Sequence, residues 1–202
     1  AGESQPRLLI QDTAWPGYEQ IPTWIVEGYS TLFSEIDEQL HGHGIERPDL
    51  IVVPAGVGSL LQAALQHYRR DPTLLKTRVM SVEPVTAASV FASVSSGQRV
   101  TIETGGTAMA GLNCGTVSSL AWPHIASGLD GCVTVTDSQA LGAARDLAVL
   151  GVDAGPCGGA SLAAVRVMSN ATSTNQALTE DAVISLLITE SAEANPRETT
   201  SV

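Results

Sequence analysis

Asp49-Leu50-Ile51-Val52-Val53-Pro54-Ala55-Gly56-Val57-Gly58-Ser59 reads as a strand, a tight turn and the start of a helix. The Val- and Ile-rich run suits a strand buried on both faces, and Leu60-Leu61-Gln62-Ala63-Ala64-Leu65 continues with a helical pattern. Gly56 and Gly58 let main-chain N–H groups approach a ligand, while a helix start adds unpaired donors and partial positive charge at the same spot. An anion, most naturally a phosphate, fits such a turn. A plain strand-to-helix connection would need the same glycines for its backbone angles alone. Ser59 is expected to cap the helix and to offer a hydroxyl to the anion. The third glycine of the dinucleotide fingerprint is replaced by Leu61, which disfavours a nucleotide-binding domain.

Outward from this unit the same alternation continues. Towards the N-terminus, Arg7-Leu8-Leu9-Ile10-Gln11-Asp12 reads as a short strand, Trp15-Pro16-Gly17 as a turn, and Pro22 to Gln39 as a helix. Its apolar face is expected to carry Ile21, Ile25, Tyr29, Leu32, Phe33, Ile36 and Leu40. His41-Gly42-His43-Gly44 ends it as an exposed turn rather than a metal site. Towards the C-terminus, Arg78 to Glu83 reads as a buried strand, Ala87 to Ser95 as a helix, and Ser119 to Ile125 as a short helix. Cys132 to Val135 is the next strand, with Asp137 capping a helix from Ser138 to Leu150. Gly155-Pro156-Cys157-Gly158-Gly159-Ala160-Ser161 opens another helix, through about Met168. After a polar stretch from Ser169 to Thr179, Ala182 to Ile188 reads as a final buried strand. Strands alternating with helices predict an α/β fold: three layers, a mostly parallel sheet, helices on both faces. Ligands of such sheets bind beyond the carboxyl ends of the strands, where Gly56 to Ser59, Glu83, Gly155 to Gly159 and Thr189-Glu190 all fall. Two glycine-rich helix starts converging there point to a phosphate-bearing cofactor.

The 202 residues suffice for one large domain, and 10 basic against 21 acidic residues give a net charge of −11. With no basic cluster larger than Arg69-Arg70, nucleic acid and anionic membrane surfaces are not expected partners. No apolar run approaches the roughly 20 residues that cross a bilayer, and Ala-Gly-Glu-Ser-Gln-Pro at the start lacks signal-peptide character. A cytoplasmic chain is expected. Cys114, Cys132 and Cys157 are too few and scattered for a disulfide framework or a zinc site. Lys76 is the only lysine.

Four stretches resemble one family. Gln11-Asp12-Thr13-Ala14-Trp15-Pro16-Gly17-Tyr18 with Ile21-Pro22-Thr23-Trp24, then Ala55-Gly56-Val57-Gly58, then Val82-Glu83-Pro84, and last Met109-Ala110-Gly111-Leu112-Asn113-Cys114-Gly115 with Trp122 are similar to the fold type II pyridoxal-phosphate enzymes. Within that family the likeness is to the diaminopropionate ammonia-lyase group. The resemblance implies the larger domain of the tryptophan synthase β-like fold, with residues 1–18 the end of the small domain and crossover, 19–190 the pyridoxal-phosphate domain and 191–202 a disordered tail. It implies pyridoxal 5'-phosphate as cofactor, its phosphate held by Gly56, Val57, Gly58 and Ser59. Gly111 would bring backbone close to the ring and Glu83 would border the cofactor. Cys157 matches the Ser or Cys that bonds the pyridine nitrogen in serine and threonine dehydratases, though taken alone it reads equally as a small buried hydrophobe. Asp12 matches a substrate-side acid/base, although an Asp at a strand end is commonly a turn residue.

The implied reaction is α,β-elimination of a small amino acid, 2,3-diaminopropionate first and serine or threonine as the alternative, in a homodimer. Cys114 and Cys132 resemble positions able to pair in the lyases, whereas a reducing cytosol favours free thiols. The family's Schiff-base lysine lies in a segment upstream of the Gln-Asp-Thr stretch, and Lys76 precedes a strand at its amino end, so it does not match. The chain thus resembles the carboxyl-terminal portion of such an enzyme without its N-terminal catalytic segment. A lysine-less binding or regulatory module is the other reading.

Overall fold

The computed structural model describes residues 8–71, 76–170 and 179–194. Four strands form one sheet among them: β1 (Leu50–Pro54), β2 (Arg78–Pro84), β3 (Gly131–Val135) and β4 (Ile184–Leu186), in the order β3-β2-β1-β4. Every pairing is parallel. Leu50 registers with Arg78 and with Ile184, and Met80 with Gly131. β1 and β2 are the interior strands, and all five residues of β1 are buried. That explains its unbroken apolar run: a strand flanked by strands and covered on both faces has no solvent side to spend on polar residues.

Among the described residues six α-helices pack around the sheet: α1 (Gln20–Gly42), α2 (Ser59–Arg69), α3 (Ser89–Ser96), α4 (Ala121–Gly128), α5 (Asp137–Val149) and α6 (Pro156–Asn170). Alternation along the strands sorts the core in two. Ile51, Val53 and Val79 pack with Val26 and Phe33 of α1, Leu61, Leu65 and Tyr68 of α2 and Ile125 of α4. Leu50, Val52, Met80, Val82 and Val133 face Ala140 and Ala143 of α5 and Ala160, Ala163 and Ala164 of α6. Small side chains on that second face let α5 and α6 lie close to the sheet and to each other. The three-layer α/β arrangement is the expected one.

Several local expectations are corrected. Residues 8–12 form no strand: Leu8, Leu9 and Ile10 are 75%, 55% and 66% exposed. Without a neighbouring strand to complete its ladder, an extended segment gains nothing from strand geometry. The Tyr18 hydroxyl ties it down instead, accepting from Gln11 N at 3.0 Å and donating to Leu9 O at 2.8 Å. The inward face of α1 includes Val26 and leaves Leu32 exposed. Asp137 is not a cap. Thr136 caps α5 in a reciprocal box with Gln139, and Asp137 accepts from Thr107 Oγ1 and from Ala108 N at 2.8 Å. The last strand is three residues long and half-buried, because β4 is an edge. Of the polar stretches, residues 171–178 and 195–202 lie outside the described residues, and Ala192–Ala194 form a 3₁₀ turn.

Candidate active site

The turn after β1 is shaped by what surrounds it. Gly58 is the N-cap of α2 at φ +95°, and a β-carbon there would stand 3.0 Å from Ile125 Cδ1 and 3.3 Å from Ala121 Cβ. At Gly56 a β-carbon would meet the Gly111 carbonyl oxygen at 2.9 Å and Cys114 Sγ at 3.1 Å. A side chain at Gly56 would collide with backbone, and one at Gly58 would strain the left-handed turn and crowd α4. No side chain caps α2. Ser59, expected as the cap, instead donates its hydroxyl to the Asp12 carbonyl at 3.1 Å, because it is already the first helical residue and its side chain points back across the turn. The leading N–H groups of α2 thus keep their donors for a ligand.

Asp12 is brought beside this turn by tertiary bonds. Ala14 N donates to Ser118 Oγ at 3.0 Å, and Ser119 Oγ donates to the Ala14 carbonyl at 3.0 Å. Val57 accepts at its carbonyl from Ser118 N at 2.8 Å, so residues 12–14, 57–59 and 118–119 form one braced corner.

The facing wall comes from Gly111, in a 3₁₀ turn (Ala110–Leu112), and from the start of α6. A β-carbon on Gly111 would lie 3.5 Å from Cys157 Sγ. Burial pushes the Cys157 thiol up to about 12, reinforced by a hydrogen bond to Glu190 and by its charge, while the amides of Gly111 and Leu112 pull the other way. The thiol is neutral at any physiological pH. Cys157 N donates to Glu190 Oε1 at 2.8 Å.

These walls enclose a cleft of about 280 Å³. Asp12, Gly56, Val57, Gly58, Ser59, Gly111 and Cys157 all line it, together with Tyr29, Cys114, Thr189 and Glu190. Residues more than a hundred positions apart, taken from four strand or helix ends, therefore share one hollow. Glu83 is not on its lining. It is fully buried beneath α3, where its carboxylate accepts from Val90 N at 2.7 Å and Phe91 N at 2.9 Å. Burial raises its pKa to about 7 against the lowering effect of those two amides.

Tyr29 escaped the sequence reading of the site because its spacing in α1 looked like a core position. Its hydroxyl is pushed above the ordinary tyrosine range by burial and then by the charge of Asp12. Thr189 and Glu190 carried only the signal of a strand end. The three cysteines are free thiols, and Cys114 accepts from the Val57 amide in the turn. Lys76 is exposed just before the amino end of β2, at the opposite edge of the sheet. A larger hollow of about 440 Å³ beside α5 is lined by Gly155 and Pro156 at the start of α6 and by none of the residues of the cleft.

The cleft has no Lys, Arg or His on its lining, so an anion there is met by main-chain donors and the positive end of α2. A neutral thiol and a bare glycine backbone stand opposite. That donor set suits an anionic ligand, met by main-chain donors on one wall and by an uncharged thiol on the other.

Residues 10–189 match the family described as pyridoxal-phosphate dependent enzyme. Diaminopropionate ammonia-lyase of Escherichia coli (strain K12) is 32% identical over 195 residues, covering 90% of this chain and 48% of the relative. The crystal structure of diaminopropionate ammonia lyase from Escherichia coli in complex with D-serine superposes with a TM-score of 0.79 at 29% identity, over 90% of this chain and 48% of that one. The crystal structure of a T.th. threonine deaminase gives a TM-score of 0.65 at 26% identity, over 70% of this chain and 50% of that one. The chain spans about half the length of these relatives or less. No helix among the described residues is long and apolar enough to cross a membrane. With residues 10–189 matched, this chain belongs to the pyridoxal-phosphate dependent enzyme family, in its fold type II branch.

Proposed function

We propose that this chain is the carboxyl-terminal part of a lyase that removes ammonia from a small amino acid by α,β-elimination, with 2,3-diaminopropionate as substrate. Water hydrolyses the eliminated product, so one 2,3-diaminopropionate and one water give one pyruvate and two ammonia. Residues 1–18 would end the smaller domain and 19–190 form the cofactor-binding one. The supporting observation is that Asp12, the Gly56 to Ser59 turn, Gly111 and Cys157 line a single cleft.

Pyridoxal phosphate, when bound, supplies an electron sink for the charge left by loss of the substrate's α-proton. The chain's own residues do the rest. The Gly56 to Ser59 amides and the start of α2 would hold the phosphate, and Gly111 would leave room for the ring. Cys157, a neutral thiol whose S–H is given to Glu190 in this structure, would turn that proton to the pyridine nitrogen without transferring it, which suits elimination. Asp12, braced through Ser59, Ser118 and Ser119, exchanges the α-proton at its carboxylate. Glu83 acts from below, holding α3 rather than touching the cofactor.

The family's covalent attachment needs a lysine, and Lys76 lies on the far edge of the sheet. That lysine is assigned to chain outside these 202 positions, so the isolated chain is expected to be inactive. A cytoplasmic homodimer is the assembly proposed. The runner-up is a serine or threonine dehydratase, favoured by Gly155-Pro156-Cys157 and by the likeness to threonine deaminase. Incubation of the full-length protein with 2,3-diaminopropionate, serine and threonine decides between them. Pyruvate with two ammonia per turnover from the first supports the lyase. Faster pyruvate from serine or 2-oxobutyrate from threonine means a dehydratase, and cofactor binding without any turnover means a binding or regulatory module.

A further inference from the structure

Tyr29 stands in the cleft wall on α1, facing the same space as Asp12. Its ring packs partly against the core formed by α1, α2 and β1, so the side chain is fixed rather than swinging in solvent. Yet among the described residues the Tyr29 hydroxyl makes no hydrogen bond, and neither does the Asp12 carboxylate, whose residue is held only through its main chain. A fully buried tyrosine hydroxyl finds its partner within the protein, whereas one that opens onto a hollow is free to bond what occupies it. Two anchored polar groups, unpartnered and facing one hollow, have their hydrogen-bonding capacity reserved for what enters it.

The charge of the hollow narrows the choice. Its ionisable carboxylates are Asp12 and Glu190, and no basic side chain lines it. Glu190 is engaged at the start of α6, which leaves Asp12 to meet the substrate. Resting on the functional reading above, we infer that Tyr29 is a substrate-contacting residue whose hydroxyl hydrogen-bonds the β-amino group of the bound amino acid, across from the Asp12 carboxylate. This end of the cleft is thereby selective for a cationic β-substituent over a β-hydroxyl. In the step itself the Cα–H bond breaks with its proton passing to a base, the Cα–Cβ double bond forms, and the Cβ–N bond breaks with its electron pair leaving on ammonia. Tyr29 holds the departing nitrogen in line, and its high pKa keeps the hydroxyl a neutral partner throughout.

The test is Tyr29→Phe in the full-length enzyme, alongside wild type. Removing a hydrogen bond to a charged group is expected to raise KM for 2,3-diaminopropionate, and to weaken its binding by calorimetry, by about tenfold or more. The effect on serine should stay within about threefold, with cofactor absorbance unchanged. Because the hydroxyl has no protein partner to lose, the melting temperature should also hold. Wild-type KM and affinity in the variant would overturn the assignment of Tyr29 alone. A variant that loses cofactor or melts early would overturn it too, by showing a structural role. A wild-type enzyme that neither binds nor turns over 2,3-diaminopropionate would take down the functional reading, and this inference with it.

Discussion

The Cys157 amide donates to the Glu190 carboxylate at 2.8 Å, and the Glu190 carbonyl accepts from Gly155 N at 2.9 Å. A residue just past β4 therefore sets both the position of the first turn of α6 and the charge beside the thiol. Replacing Glu190 by Ala removes a partner from a helix N-terminus and should cost about 1 to 2 kcal/mol in urea denaturation. Glu190→Gln keeps an oxygen for the Cys157 amide but loses the charge. Its expected signature is a Cys157 thiol that titrates below the wild-type value, followed by ultraviolet absorbance of the thiolate.

Cysteine labelling tests the walls of the cleft separately. All three thiols are free, with Cys157 only 2% exposed and Cys114 partly open on the lining. Iodoacetamide at pH 8 should modify Cys114 slowly and leave Cys157 untouched until denaturant is added. Pyridoxal phosphate should protect Cys114. Peptide mass spectrometry reads both, and labelling of Cys157 at the rate of Cys114 would contradict the buried, neutral thiol.

Gly58→Ala combines two penalties, a left-handed backbone at φ +95° and a β-carbon 3.0 Å from Ile125 Cδ1. A loss of about 1 to 3 kcal/mol is expected from the denaturation midpoint. Phosphate affinity should fall as well, since relief of the clash displaces the turn that presents the α2 amides. A variant with wild-type stability would mean the turn relaxes freely.

Glu83 makes stability depend on pH. Its carboxyl has a folded pKa of about 7 against an ordinary value of 4.5, so between these the folded protein binds the extra proton. Stability should therefore fall as pH rises through this window and level off above it, by on the order of 3 kcal/mol at most. Glu83→Gln should flatten that slope. Chemical denaturation at several pH values between 5 and 8 is the measurement.

Asp12→Asn keeps the side chain's size and removes its basicity. Elimination by the full-length enzyme should drop about a hundredfold or more in kcat, while cofactor binding by absorbance stays within about twofold. Retained kcat would move the acid/base role to another group.

What the sequence by itself determined was local: the apolar run of β1, the glycine turn, the helix that follows, and the repetition of that unit that makes a parallel sheet with two covered faces. These follow from periodicity and backbone sterics, which act over a few residues. Even the cleft was partly legible, because the carboxyl ends of parallel strands fall on one edge of the sheet whatever the side chains are. Direction and partnership were decided only in three dimensions. Glu83 ends its strand at the ligand edge, yet α3 settles over that strand and claims the carboxylate for its own first amides. Ser59 occupies a capping position in the sequence, but Gly58 takes the cap and the hydroxyl turns to Asp12, 47 positions away. Tyr29 sits in the spacing of a core residue and becomes cleft wall because α1 crosses the turn after β1. A side chain's task depends on which distant element is packed against it, and no local pattern encodes that neighbour.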